Sequence, residues 1–465
     1  MKRYLAIDIG ASSGRHILGW LEGGKIRTKE VYRFENGAAM KNGLLCWDVD
    51  ALFSHVLAGL RVCGEQGMPP QSVSIDTWGV DFVLLGADGN RLGEAVAYRD
   101  KRTDGMDSEV ERYISFPELY ARTGIQKQPF NTIYQLMALK KNSPELLEQA
   151  DKLLFVPDYL HYRLCGELAN EYTEASTSAL VNAHTRDWDW ELLRLLGLPE
   201  RLFMPVTPAG TALGGLTPAI QKEVGFNCLT VLPASHDTGS AYLSVPAKDD
   251  RKVYVSSGTW SLLGIESEAP IINEEGRAGN FTNEGGYNAR TRFLQNIAGL
   301  WMIQSVRNEQ GRQYSFAQLE EMAKASEYNY IIDPNDPAFF APESMIGAVK
   351  TICARGGFAP PETIGDVMRC IYLSLAECYA HAVRNLEKIT GRKFTGINIV
   401  GGGTKDGYLN GLTAKASGLP VWAGPTEGTV IGNLIVQFIA DGVFENLREA
   451  RCAVAESFEI KEYLP

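Results

Sequence analysis

The stretch "AIDIGASSGR", residues 6 to 15, decides the fold reading. An apolar strand pattern carries Asp8 near its end. Gly10, Ala11, Ser12, Ser13 and Gly14 then make a tight turn of small and hydroxyl residues, and Arg15 opens a second strand. Small side chains let backbone N–H groups and hydroxyls approach a polyphosphate closely. Asp8 at a strand end suits Mg²⁺, held largely through water because this ion keeps part of its hydration shell. Alone, the same pattern also describes a plain hairpin. The chain has no G-x-x-x-x-G-K-[ST], so this is not a P-loop, and no G-x-G-x-x-G follows the first strand.

Moving outward, residues 4–10 and 15–34 read as a strand meander with Gly23-Gly24 as a turn, 51–67 as a helix and 72–79 as a strand. Residues 131–150 have the pattern of one helix, and 158–166 that of another. Alternating strands and helices predict an α/β fold. The second half echoes the first. "YVSSGTWSLLG" (254–264) is again a strand, a hydroxyl-rich turn with Ser256, Ser257, Gly258 and Thr259, and a strand. "GINIVGGG" (396–403) matches "SVSIDTWG" (72–79), and "DVMRCIYLSLAECYAHAVRNLEKITG" (366–391) is a long amphipathic helix. Two such halves predict two α/β domains, 1–243 and 244–465, flanking a central cleft, a common place for a small ligand. Two matching turns would clamp a phosphate chain better than one. The run Gly401–Gly403 predicts backbone lying flat on a planar ligand or on another backbone.

Two further stretches carry chemistry. In "SIDTWGVDF" (74–82), Asp76, Trp78 and Asp81 suit polyol recognition, with carboxylates for hydroxyls and a ring for a C–H face; a structural strand end with a core Trp fits equally. In "ASHDTGSA" (234–241), His236 and Asp237 stand where a strand hands over to a helix. Either could accept a hydroxyl proton, but neighbours on an extended segment point to opposite sides. Asp237 reads equally as the N-cap of that helix.

The chain has 465 residues and a formal net charge of −11. That acidity argues against a broad nucleic-acid footprint. The most apolar late stretch, 428–444, is interrupted by Gly432, Asn433, Gln437 and Asp441 and is too short for a membrane span. Eight cysteines without a CxxC pattern read as thiols of a reducing cytoplasm, although Cys353 and Cys370 could pair if folding brought them together.

Taken together, these residues resemble the FGGY carbohydrate kinases of the actin-like ATPase superfamily. The likeness runs through nearly the whole chain, including "VAYRDKRT", "PFNTIYQL", "EYTEASTSALVN", "FTNEGG", "NIAGLWMIQ" and "IVGGGTKDGYLN". It implies two ribonuclease-H-like domains, with ATP mainly on the second and the sugar mainly on the first; because water in an open cleft could take the phosphoryl group, the two halves are expected to close on sugar. Within the family, "IDTWGVDFVLL" and "SSGTWSL" are similar to the branch that phosphorylates L-rhamnulose at its 1-hydroxyl. The resemblance carries the phosphate loop to Ala11, Ser12, Ser13, Gly14 and Arg15, and further ATP contacts to Thr259, Gln304 and Gly402. Sugar contacts fall at Gly79, His236, Asp237, Thr238 and Asn296, with Asp237 as catalytic base and Asp8 facing Mg²⁺. It implies a cytoplasmic monomer or homodimer without nucleic-acid or membrane partners. Kinases of L-fuculose or another deoxy-ketose, and an ATPase switch without sugar chemistry, are the competing expectations.

Overall fold

β1 (Tyr4–Ile9), β2 (Ser13–Glu22) and β3 (Lys25–Glu35) form the expected meander, with Glu22 opposite Lys25. Gly23 and Gly24 join them at φ 57° and 77°, a conformation that costs a glycine little. β4 (Ser72–Thr77) lies parallel to β1 and sets Asp76 opposite Asp8. With β5 (Ala212–Gly215) and β6 (Leu229–Val231), the sheet order is β5-β6-β4-β1-β2-β3. β1 and β4 are buried throughout, as expected of central strands covered on both faces.

The computed structural model describes residues 1–340 and 342–465. The chain forms two compact units, discontinuous in sequence. Unit 1 is Met1–Ser244 with Glu266–Phe293 and Thr429–Ser457; unit 2 is Val245–Ile265, Leu294–Gly428 and Phe458–Pro465.

In unit 1, α1 (Val49–Glu65) starts where the Asp48 carboxylate accepts the Ala51 N–H at 2.9 Å. Its Leu52, Phe53, Val56 and Leu60 share one core with Leu5, Ile7, Val73 and Ile75. Each such side chain contributes about 1.5–3 kcal/mol by leaving water. The single helix expected over 131–150 is two, Thr132–Asn142 and Pro144–Gln149. Ser143 is non-helical at φ −150°, and Pro144, with no N–H to donate, restarts the helix at its first turn. The polar interruptions of the late apolar stretch are internal partners. Gln437 Nε2 donates to Leu5 O (3.1 Å) and Asn433 Oδ1 (2.9 Å), Ser72 Oγ donates to Gln437 Oε1 (2.6 Å), and Asn433 Nδ2 donates to Asp76 Oδ2 (2.6 Å). Among the described residues no helix is long and apolar enough to cross a membrane.

Unit 2 repeats the plan. β7 (Lys252–Ser257) pairs antiparallel with β8 (Ser261–Ser267) and parallel with β9 (Gly396–Val400), as β1 pairs with β2 and β4. β10 (Val421–Ala423) and β11 (Lys461–Tyr463) extend the sheet beyond β9. The long helix Ile364–Thr390 opens on a Thr363–Asp366 capping box and stops at Gly391, φ 66°. Both units therefore have the ribonuclease-H-like core of the actin-like ATPases. Cys353 and Cys370 face each other as free thiols, sulfurs 3.9 Å apart.

Candidate active site

The segment carrying Asp237 is pinned from three sides within unit 1. Thr77 N–H donates to Ser235 O at 2.9 Å, extending β4 by one bridge to His236. Glu171 Oε2 accepts from Ser235 N (3.1 Å), Thr173 N (2.9 Å), Thr173 Oγ1 (2.5 Å) and Glu174 N (3.2 Å). Thr173 Oγ1 in turn accepts from His236 N at 3.2 Å. The seven-residue helix Asp237–Leu243 then begins, with His236 rather than Asp237 at its N-cap position.

The two oxygens of Asp237 stand in unlike surroundings. Oδ1 accepts from Thr238 N (2.6 Å) and Thr238 Oγ1 (3.1 Å) and has His236 Nε2 at 3.5 Å. The side chain keeps 36% of its surface open, so Oδ2 is the oxygen left to meet a ligand. Burial raises the Asp237 carboxyl above its ordinary value, helped by the negative charge of Asp8; His236 and Thr238 pull the other way. Gly79 belongs to the same place: a Cβ there would lie 3.4 Å from His236 Nε2 and 3.2 Å from Thr177. The next residue, Val80, is held at φ 71°, strained for a β-branched side chain, by Thr177 Oγ1 on its N–H and Thr132 on its carbonyl. Gly79, His236, Asp237 and Thr238 are thus brought together in unit 1, whereas Asn296 lies in unit 2, half-buried on a strand.

In the turn of "AIDIGASSGR", Gly10 N–H donates to Ser13 O (2.9 Å), and Asn36 clasps it by donating N–H to Ser12 O (3.0 Å) and Nδ2 to Gly10 O (2.8 Å). Ala11 and Ser12 are exposed, with Ser13 half-buried. Gly14 is required for packing: a Cβ would sit 2.2 Å from the Phe34 ring. Arg15 stands opposite Asp8 in the β1–β2 register, and its Nε (3.0 Å) and NH2 (2.6 Å) donate to Asp8 Oδ2. Asp76 Oδ1, on the adjacent strand, has no hydrogen-bond partner among the described residues, and burial, then the charge of Asp8, pushes that carboxyl well above the usual range. Among the described residues no group of three side chains could cage a metal. The hard oxygens of Asp8 fit an ion that brings water and phosphate oxygens of its own, as Mg²⁺ does.

The polyol reading of Asp76, Trp78 and Asp81 is corrected. Trp78 packs at a tilt against Trp47 in the core, ring centroids 4.1 Å apart and planes at 35°. Asp81 Oδ2 accepts from Trp47 Nε1 (2.7 Å), Trp78 Nε1 (2.9 Å) and Tyr98 N (3.0 Å), and Oδ1 accepts from Gln135 Nε2 (3.1 Å). Burial pushes this carboxyl up to about 6 against those four donors. Asp81→Asn would set an amide N–H against Gln135 Nε2, and we expect it to lower unfolding stability by about 1–3 kcal/mol while leaving the KM for substrate unchanged. Denaturant unfolding beside steady-state kinetics checks this; a raised KM at unchanged stability would return Asp81 to the ligand.

In unit 2, the 258–259 turn is closed by Gly258 N–H to Trp260 O (2.9 Å), and its carbonyls cap the next helix, Trp301–Glu309: Leu300 N donates to Gly258 O (3.2 Å) and Trp301 N to Thr259 O (3.0 Å). Gln304 follows on the first turn of that helix, half-buried. Gly299 permits the approach, at φ 53° with a would-be Cβ 2.6 Å from Ser261 N. Of the triple glycine, Gly401 and Gly403 lie against Ser257, where a Cβ would meet atoms at 2.9 and 2.0 Å; Gly402 has only Ser257 O at 3.9 Å and stays open. Thr259, Gln304 and Gly402 all stand in unit 2.

The local pattern gave no role to Asn36, Glu171 or Asn433, which hold the turn, the Ser235 segment and Asp76. Asn433 and Gln437 had a signal, an i, i+4 polar pair inside an apolar helix.

Comparison with known proteins defines the class. The model of the N-terminal domain of the FGGY family of carbohydrate kinases matches residues 3–244, and that of the C-terminal domain matches 253–440. The chain belongs to this family. A rhamnulokinase of Halalkalibacterium halodurans is 47% identical over 100% of this chain and 99% of its own length. Its counterpart in Bacillus subtilis is 43% identical over 99% and 95%. The fold is shared with a ligand-bound xylulose kinase of Lactobacillus acidophilus, TM-score 0.83 at 18% identity, covering 100% of this chain and 94% of that one. A glycerol kinase of Plasmodium falciparum with ADP matches at TM-score 0.79, 13% identity and the same coverage.

Proposed function

We propose that the protein transfers the terminal phosphoryl group of ATP to the 1-hydroxyl of L-rhamnulose, giving L-rhamnulose 1-phosphate and ADP in L-rhamnose breakdown in the cytoplasm. The observation that carries the chemistry is the Asp237 carboxylate, one oxygen committed to Thr238 and the other open at the start of a helix. The names of the full-length relatives support the choice of sugar.

Phosphoryl transfer passes through a loose transition state, so the protein mainly positions groups and neutralises charge. Asp237 Oδ2 accepts the hydroxyl hydrogen, aligns the attacking oxygen and takes the proton as the new O–P bond forms. A carboxyl raised by burial is a better base near neutral pH than an ordinary Asp. Gly79, His236, Thr238 and Asn296 contact the ketose. Residues Ala11–Arg15 donate to the phosphate chain, and Thr259, Gln304 and Gly402 hold the nucleotide. Asp8 would hold Mg²⁺, which neutralises phosphate charge when bound.

The test is ADP release with Mg-ATP across a panel of ketoses. The reading expects L-rhamnulose to be turned over with the highest kcat/KM. Preference for L-fuculose would change the sugar and keep the mechanism, and ATP hydrolysis indifferent to every sugar would overturn the kinase reading.

A further inference from the structure

Beneath His236 lies a charged pair for which the mechanism above has no use. Arg292 is wholly buried and Glu284 nearly so, with Arg292 NH2 3.1 Å from Glu284 Oε2. Burying two charges is costly unless each is well paired, yet this pairing is incomplete. Arg292 Nε donates to Gly285 O at 2.7 Å, and among the described residues NH1 has no hydrogen-bond partner and Glu284 Oε2 meets hydrogen-bond geometry with nothing. Burial would raise the Glu284 carboxyl, but the charge of Arg292 and the neighbouring His236 side chain outweigh it and hold it below its ordinary value, so Glu284 is an anion. What the pair does make is a contact with the imidazole. Arg292 NH2 is 3.2 Å from His236 Nδ1 in hydrogen-bond geometry, and Glu284 Oε2 is 3.3 Å from the same nitrogen without it.

A guanidinium only donates. The nitrogen it meets must therefore carry a lone pair, and in a neutral imidazole the proton then sits on the other nitrogen. That other nitrogen, Nε2, faces Asp237 Oδ1 at 3.5 Å and backs onto Gly79.

We propose that Arg292, with Glu284 as its counter-charge, is a positioning residue that locks His236 as the neutral Nε2–H tautomer. His236 thereby presents its one N–H at the reacting centre, beside Asp237, to an acceptor oxygen of the ketose, and it does not compete with Asp237 for the hydroxyl proton. Glu284 keeps the guanidinium charge from standing alone in the interior. The proposal rests on the reading of Asp237 as base, but its main test needs no ketose, so a wrong sugar and a wrong tautomer give different failures.

The test is the imidazole ¹⁵N spectrum of the full chain, labelled at histidine, near neutral pH. The His236 signals are identified by their loss in His236→Gln. A protonated Nε2 with a bare Nδ1 supports the proposal; a protonated Nδ1, or both nitrogens protonated, overturns it. The double variant Arg292→Gln/Glu284→Gln removes both charges together and leaves neither unpaired. It is expected to show mixed His236 tautomers and a kcat lower by on the order of tenfold to a hundredfold, with ATP KM unchanged. Arg292→Lys, which retains a cationic donor, is expected to restore the Nε2–H tautomer and most of kcat. An unchanged tautomer in the double variant, or a changed tautomer with wild-type kcat, overturns the positioning role. Should the double variant not fold, the wild-type and Arg292→Lys spectra decide.

Discussion

Asp237→Asn is expected to lower kcat by about 10²- to 10⁴-fold, the usual worth of a positioned general base, while the protein stays folded. The amide oxygen can keep the Oδ1 bonds to Thr238 N and Oγ1. The amide nitrogen then stands where Oδ2 would receive the proton, and it has no lone pair to offer. Ketose KM should change little because the shape is retained. Stability should hold or rise, because a carboxyl raised by burial in the folded state favours the unfolded chain at neutral pH. The same shift sets a pH dependence: the acid limb of kcat/KM should lie above 3.8, the ordinary Asp value, and vanish in the residual activity of the variant. Turnover near wild type would remove Asp237 from the mechanism.

Glu171→Ala is expected to be the most damaging substitution outside the residues that touch ligand. It removes the one oxygen that serves Ser235 N, Thr173 N, Thr173 Oγ1 and Glu174 N. Three buried backbone N–H groups lose their acceptor, at about 1–3 kcal/mol each before relaxation, so a loss of about 3–5 kcal/mol is expected. Surviving folded protein should be slow, because the strut under Ser235 and His236 is gone; a displacement of about 1 Å costs on the order of a hundredfold. Glu171→Gln keeps an acceptor at Oε2 and should retain most of both properties. It also isolates the charge. Burial pushes Glu171 up to about 6 from 4.5, so its stabilising contribution is present below 4.5 and lost as pH rises through about 6. The stability of wild type relative to Glu171→Gln should therefore fall across that window. Denaturant unfolding at several pH values measures both claims; an alanine variant as stable and as fast as wild type would dismiss the strut.

Much of the architecture was legible because it is local. The β1–β2 turn, the Gly23-Gly24 hairpin and the end of the long helix at Gly391 each depend on backbone geometry within a few residues. Their backbone demands are written in small, hydroxyl and glycine side chains. Residues 131–150 were misread at one point, where the apolar period continues across Pro144 although the backbone hydrogen bonds cannot. At residues 74–82 the sequence left two readings open. An aspartate beside tryptophans has the same letters whether its oxygens face a sugar or, as for Asp81, four internal donors.

The sequence by itself determined the paired strand–turn–strand plan, the family, and the residue types for phosphate and hydroxyl chemistry, because those follow from side-chain size and charge at short spacing. Only the tertiary structure decided what each of these groups is held by. Glu171 lies 64 residues from Ser235, Arg292 lies 56 from His236, and Asn433 lies 357 from Asp76. Burial of a charged or amide side chain demands a partner, but nothing in the local pattern says which distant residue supplies it. Those partners hold the backbone that carries Asp237, while its neighbour Thr238 occupies Oδ1.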